Sequence, residues 1–193
     1  MGRHHMQPLD FLDQRRSTPS RQLGLPGPSP EQLRQMLASA MRVPDHGKLA
    51  PWRILAIGGA ARLRLGEFLA QRTLMLDPAA PAAVVEKDRL RFSHAPLVLA
   101  VIAAPQPHSK VPEIEQILSA GSVCFAMLQA AQALGFGAQW LTGWPAYDSV
   151  VMAHLGLRDG ESIIGFIHIG SAKESAPERV RPALDEHFSV WSG

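Results

Sequence analysis

Two short stretches of this 193-residue chain concentrate side chains that can do chemistry. Arg15-Arg16-Ser17 sets two guanidiniums beside a hydroxyl. That pattern can grip a phosphate, because the planar guanidinium fork matches phosphate oxygens two at a time. Two arginines at the end of a helix also complement its dipole, and taken alone that is the more frequent reason for them. The second stretch, Pro44-Asp45-His46-Gly47-Lys48, follows a helical segment and leads through Pro51-Trp52-Arg53 into an apolar run. It offers a carboxylate, an imidazole and an ammonium. A catalytic loop, a metal site, a phosphate clamp and a plain helix-to-strand link are all open to it.

No nucleophile or metal set accompanies these stretches. His46, His94, His108, His154, His168 and His187 are scattered, with no His-x-x-x-His pair and no partner at ligand spacing. Cys124 is the single cysteine, which excludes an internal disulfide and a thiolate metal cluster, and its apolar helical surroundings mark it as a small core residue. There is no Gly-x-Ser-x-Gly elbow and no Walker loop. Gly135-Phe136-Gly137-Ala138-Gln139-Trp140 begins like a dinucleotide fingerprint, but it lacks the third glycine and opens a strand, so a Rossmann reading is rejected.

Composition narrows the class. With 46% hydrophobic and 19% charged residues, the chain fits one globular domain, or one domain plus an extended tail. A net charge of +2 and a pI near 9.0 are too mild for a nucleic-acid binder, which normally carries a concentrated basic stripe. Arg15, Arg16 and Arg21 instead bracket one segment, as a local anion site would. The longest apolar run, residues 96–105, is much shorter than the roughly 20 residues a spanning helix needs. The N-terminus has no apolar signal core, so a cytoplasmic protein with no membrane partner is expected.

The elements that must position these residues are legible in outline. Residues 9–16 read as a first helix, with Leu9, Phe11 and Leu12 on its apolar side. Ser29, Pro30 and Gln32 give the next helix an N-cap, a first-turn proline and a capping box, and Pro44 stops it. Residues 52–57 form a strand ended by Gly58-Gly59, and residues 60–72 an amphipathic helix. The alanine- and proline-rich residues 76–84 are the best place for a mobile lid. Residues 96–104 read as a central strand buried on both faces. The longest helix, residues 113–134, closes on Gly135 and is rich in Ala, Gly and Ser. Side chains that small let another helix approach closely, at a subunit interface or inside a monomer core. Residues 136–141 and 162–170 add two strands, with a short helix capped by Asp148 between them. The tail ends on Phe188, Val190 and Trp191, aromatic and apolar residues expected to pack on something, a partner subunit being the natural choice. About four strands and five or six helices make an α+β or α/β layered domain.

Taken together and in order, "RRS", "RVPDHGKLAPWR", the small-residue helix and "GFGAQWLTG" resemble the nitroreductase-like family of FMN-dependent oxidoreductases. The likeness is strongest to small bacterial NAD(P)H nitroreductases with Pro-Asp-His in the loop, and runs from about residue 9 to 170. It implies an α+β nitroreductase-like fold: a central mixed or antiparallel sheet flanked by helices, in an intertwined homodimer. It implies one domain over residues 1–193, with a core at about 9–170 and an extension at 171–193 that packs on the partner.

The resemblance also implies FMN in clefts between the subunits, with NAD(P)H as co-substrate and a small nitroaromatic or quinone-like acceptor, in ping-pong order. Arg15, Arg16 and Ser17 would hold the FMN phosphate, ribityl chain and pyrimidine edge. Arg42 and His46 would reach the same FMN from the other subunit. Trp140, Leu141, Thr142 and Gly143 would line the flavin, and Lys173, Arg179 or Arg181 would add a phosphate contact. No catalytic side chain and no metal ligand are expected, because the cofactor carries the chemistry. Relatives commonly have Asn and Gln where this chain has Lys48 and Ala50. That departure admits an alternative: a flavin-binding storage or redox-sensing module without efficient turnover.

Overall fold

The computed structural model describes residues 7–193; the first six residues, whose lack of a signal core is a reading of sequence alone, lie outside the described residues. The chain forms a five-stranded, wholly antiparallel sheet with helices on both faces, an α+β arrangement. Strand β3 (Leu97–Ala103) lies between β2 (Trp52–Gly58) and β5 (Ser162–Ala172). Strand β4 (Gly137–Leu141) pairs with β5, and the two-residue β1 (Leu23–Gly24) pairs with the end of β5. The central strand is thus where the uninterrupted apolar run predicts it, and it is buried from Val98 to Ala103.

Strand alternation divides the core in two. Leu99, Val101, Ile167 and Ile169 face α5 (Glu113–Ala133) and α2 (Pro30–Ala40). Val98, Ala100, Ile163 and Phe166 face α3 (Gly59–Leu76), where Phe92 meets Phe166 edge-on at 4.9 Å. Helix α5 is long and apolar enough to cross a membrane by composition, but half of its most apolar window is buried inside the fold. Its small residues let α2 approach: Ala126 and Ala130 of α5 and Leu33 and Leu37 of α2 pack against the same buried cluster. The large apolar side chains that α5 leaves exposed are Ile114, Leu118 and Phe125.

Two boundaries depart from the sequence reading. The first helix, α1 (Pro8–Asp13), ends before the arginines, which lie outside any helix or strand. Arg16 folds back so that its guanidinium donates to the carbonyls of Asp13 and Arg15, which does the helix-capping work a C-terminal arginine can do. The apolar side of α1 is only partly covered within the chain: Phe11 is half-buried against α2 and α5, but Leu9 and Leu12 are exposed. Residues 76–84 are a loop only in part, because α4 (Ala82–Arg89) begins at Ala82. That helix carries no apolar stripe to reveal it, and only Val85 and Asp88 on it are buried. It stays against α3 through Gly66, whose missing Cβ leaves room for the Arg89 carbonyl. The short helix α6 (Ser149–His154) starts as expected, with the Asp148 carboxylate accepting from the amides of Val150 and Val151.

Candidate functional site

The segment after α1 is strapped to β4. Thr18, which is buried, donates its amide to Ala138 O at 3.0 Å, and the Ser20 amide reaches Gln139 Oε1 at 2.6 Å. The approach depends on Gly137, where a Cβ would stand 2.9 Å from Thr18 Oγ1. One strand therefore carries Arg15-Arg16-Ser17 at its side and runs directly into Trp140–Gly143.

Beside β4 the tail returns over the arginines. A cleft of about 570 Å³ is lined by Leu12, Asp13, Arg15, Arg16, Glu178, Arg179 and Arg181, and a second cavity adds Ser17 and Pro177. Burial, and then the charges of Arg181, Arg179 and Arg16, push the Arg15 pKa below its ordinary value. Glu178 is the acidic counterweight: it pairs with Arg16 and stands 3.7 Å from Arg181. Among the described residues Arg15 forms no ion pair; its Nη1 donates to Ser17 Oγ at 3.5 Å. Four guanidiniums around two carboxylates, Glu178 and Asp13, still leave an excess of positive charge, suited to an anion with several oxygens. Of the three tail residues considered, Arg179 and Arg181 line the cleft, whereas Lys173 lies over Gly24 at β1.

Trp140 projects across β5, its indole Nε1 donating to Ile164 O at 3.2 Å. Leu141 ends β4, and Thr142 and Gly143 turn the chain, with Gly143 at φ 87° and ψ 179°. That conformation is essentially reserved to glycine.

Arg42 and His46 lie elsewhere in the same chain. Arg42 borders a cavity of about 420 Å³ between α1, α2 and α5, and neither residue lines the arginine cleft. His46 Nδ1 meets Glu115 Oε2 at 2.7 Å. The loop around them is held under strain: Lys48 and Ala50 both sit at positive φ, 55° and 45°. The Asp45 carboxylate secures it by accepting from the amides of Leu49 (3.2 Å) and Ala50 (2.8 Å).

The nitroreductase family model matches residues 12–171. This chain belongs to the nitroreductase family. An Escherichia coli K12 protein named "Putative NAD(P)H nitroreductase YdjA" is 36% identical over 171 residues, covering 89% of this chain and 91% of that protein. Among solved structures, a nitroreductase-like family protein from Bacillus cereus superposes with a TM-score of 0.83 at 19% identity, over the whole of both chains. A Desulfovibrio desulfuricans nitroreductase in complex with FMN gives a TM-score of 0.73 at 22% identity, covering 96% of this chain and 98% of that one. At those identities the structural likeness speaks for the nitroreductase fold.

Two features of this nitroreductase chain escaped the sequence reading. Glu178 sits in a polar tail with no periodic signal, so its place beside Arg16 is visible only in three dimensions. The buried carboxylate of Asp88 is the other; a lone acid in a short helix gives no sign of its partners. No group of three or more His, Cys, Asp or Glu stands at metal-binding distance among the described residues. Burial pushes the Cys124 thiol up to about 12, so it is a core residue rather than a nucleophile.

Proposed function

We propose that this chain is an FMN-dependent NAD(P)H oxidoreductase that reduces nitroaromatic or quinone-like acceptors. The observation that carries the reading is the cluster of Arg15, Arg16, Arg179 and Arg181, in excess over the carboxylates of Glu178 and Asp13, beside the strand that leads into Trp140–Gly143. It fits the phosphate end of FMN: the guanidiniums supply paired donors, and a phosphate dianion relieves their mutual repulsion. Bound FMN supplies two-electron transfer through its N5 between NAD(P)H and the acceptor, in ping-pong order.

The chain's own part is binding, orientation and charge. Arg15, Arg16 and Ser17 hold the phosphate, the ribityl chain and the pyrimidine edge. Trp140, Leu141, Thr142 and Gly143 line the ring, with backbone amides at the turn available as donors. Arg42 and His46, remote from the cleft of their own chain, serve the cleft of a second copy. A homodimer accounts for apolar side chains that one chain leaves bare: Leu9 on α1, Leu118 and Phe125 on α5, and Val180, Phe188, Val190 and Trp191 in the tail. Residues 1–193 thus act as one domain whose extension packs on its partner, and the cytoplasm is its compartment.

An absorption spectrum before and after anaerobic NAD(P)H tests the reading. Bound flavin that bleaches is the expected result; protein that stays colourless with added FMN sinks it. Ala50, which offers no side-chain amide to a flavin or substrate, motivates a second reading, a flavin-binding module without efficient turnover. Retained FMN that neither NADH nor NADPH bleaches would select it.

A further inference from the structure

Asp88 on α4 is 4% exposed and is fully engaged. Its Oδ1 accepts from Arg91 Nε and from Trp144 Nε1, both at 3.1 Å, and also from Arg91 Nη2. Its Oδ2 accepts from Thr73 Oγ1 of α3 at 2.8 Å. Burial alone would push this carboxyl up, but the bonds from Arg91, Thr73 and Trp144 hold it below its ordinary value. Arg91 spends only one side of its fork on Asp88. The remaining nitrogen, Nη1, stands against Gly143, where it is the nearest atom to a would-be Cβ, at 3.0 Å. The turn at Gly143 is therefore braced twice by one ion pair. Arg91 fills the space that glycine leaves, and the next residue, Trp144, bonds to the same carboxylate.

We propose that Arg91, locked by Asp88, is a positioning residue that sets the direction of the peptide groups at 142–143 and joins that turn to the α3–α4 hairpin as one unit. The inference rests on the reading of Thr142 and Gly143 as flavin-lining. A peptide amide is useful to a ring only if it points the right way, and the local chain holds Gly143, at φ 87°, on its carbonyl side, where its O accepts from the Ala146 amide at 3.0 Å. The brace adds a second constraint. It also gives the hairpin a mechanical route to the ring: a shift of α4 carries the turn with it.

Arg91→Lys keeps the charge but loses the fork, so it cannot bond Asp88 twice and still press on Gly143. Hydrogen exchange on the flavin-free protein is the primary readout. Expected is faster exchange across 142–147 with the β3 amides unchanged, together with FMN affinity lowered about tenfold in the loaded protein. Trp144→Phe, which removes the indole N–H together with one ring of the side chain, moves both readouts the same way and stands in if the first variant does not fold. Exchange at 142–147 equal to wild type in a folded variant overturns the proposal. Should wild-type protein not bind FMN, the functional reading falls, while the exchange measurement still decides the brace.

Discussion

Trp140 lies across Gly165 of the neighbouring strand, so closely that a Cβ on residue 165 would overlap its indole nitrogen. The two are diagonal neighbours on one sheet face, since Trp140 pairs with Ile167. Gly165→Ala must therefore displace the indole. The expected cost is about 1–3 kcal/mol of stability, as for other overpacked sites, with weaker FMN retention. Urea unfolding and flavin fluorescence read the two effects. A stable Gly165→Ala variant that keeps full FMN affinity would show that the indole does not position the ring.

The arginine cluster makes a sharper prediction about binding than about folding. Arg16→Ala and Arg181→Ala should each weaken FMN by roughly 10- to 100-fold, the worth of one charge-assisted contact. Arg15→Ala should do the same at little cost to the flavin-free fold, because burial and three neighbouring guanidiniums already oppose its charge. Equilibrium dialysis against FMN measures the first effect and thermal unfolding the second. FMN retention unchanged in all three would remove the cleft from the site.

The fold should lose stability as pH falls from about 6.5 to about 4, and His168 is a main cause. Burial, then the charges of Arg91, His94 and Arg62, push this histidine down to about 4. An unfolded histidine titrates near 6.5, so between those values the unfolded chain binds more protons. The contribution of neutral His168 is full above that window and lost as pH drops through it, a change of roughly 3 kcal/mol. Urea titrations at pH 7, 5.5 and 4 should show the loss, and His168→Gln should flatten it. An identical pH slope in that variant would assign the effect elsewhere.

Lys48 is strained where Asn or Gly would rest. Its φ of 55° lies in the left-handed region, which asparagine tolerates better than lysine and glycine enters freely. Lys48→Gly and Lys48→Asn should each raise stability by about 0.5–1 kcal/mol, seen as a higher unfolding midpoint. The Asp45 carboxylate, which holds the amides of Leu49 and Ala50, should become dispensable to the same degree. Unchanged midpoints in both variants would mean that the loop carries no strain at this position.

Local chemistry made much of this molecule legible in the sequence. The capping box at Ser29, the Asp148 cap, the glycine after α5 and the apolar run of β3 are interactions among residues close in the chain, and each stands where those residues demand. The ordered motifs likewise pointed to the family. Contacts between distant residues decided the rest. The end of α1 depends on how Arg16 folds back, the helix at 82–89 on its seat against Gly66, and the anion cleft on a tail returning some 160 positions later to set Arg179 and Arg181 beside Arg15. Sequence spacing fixes which side chains exist and which faces they share. Only tertiary structure gathers four guanidiniums into one cleft with Glu178, or aims one arginine of an ion pair at a glycine turn, because those encounters are set by packing and not by distance along the chain.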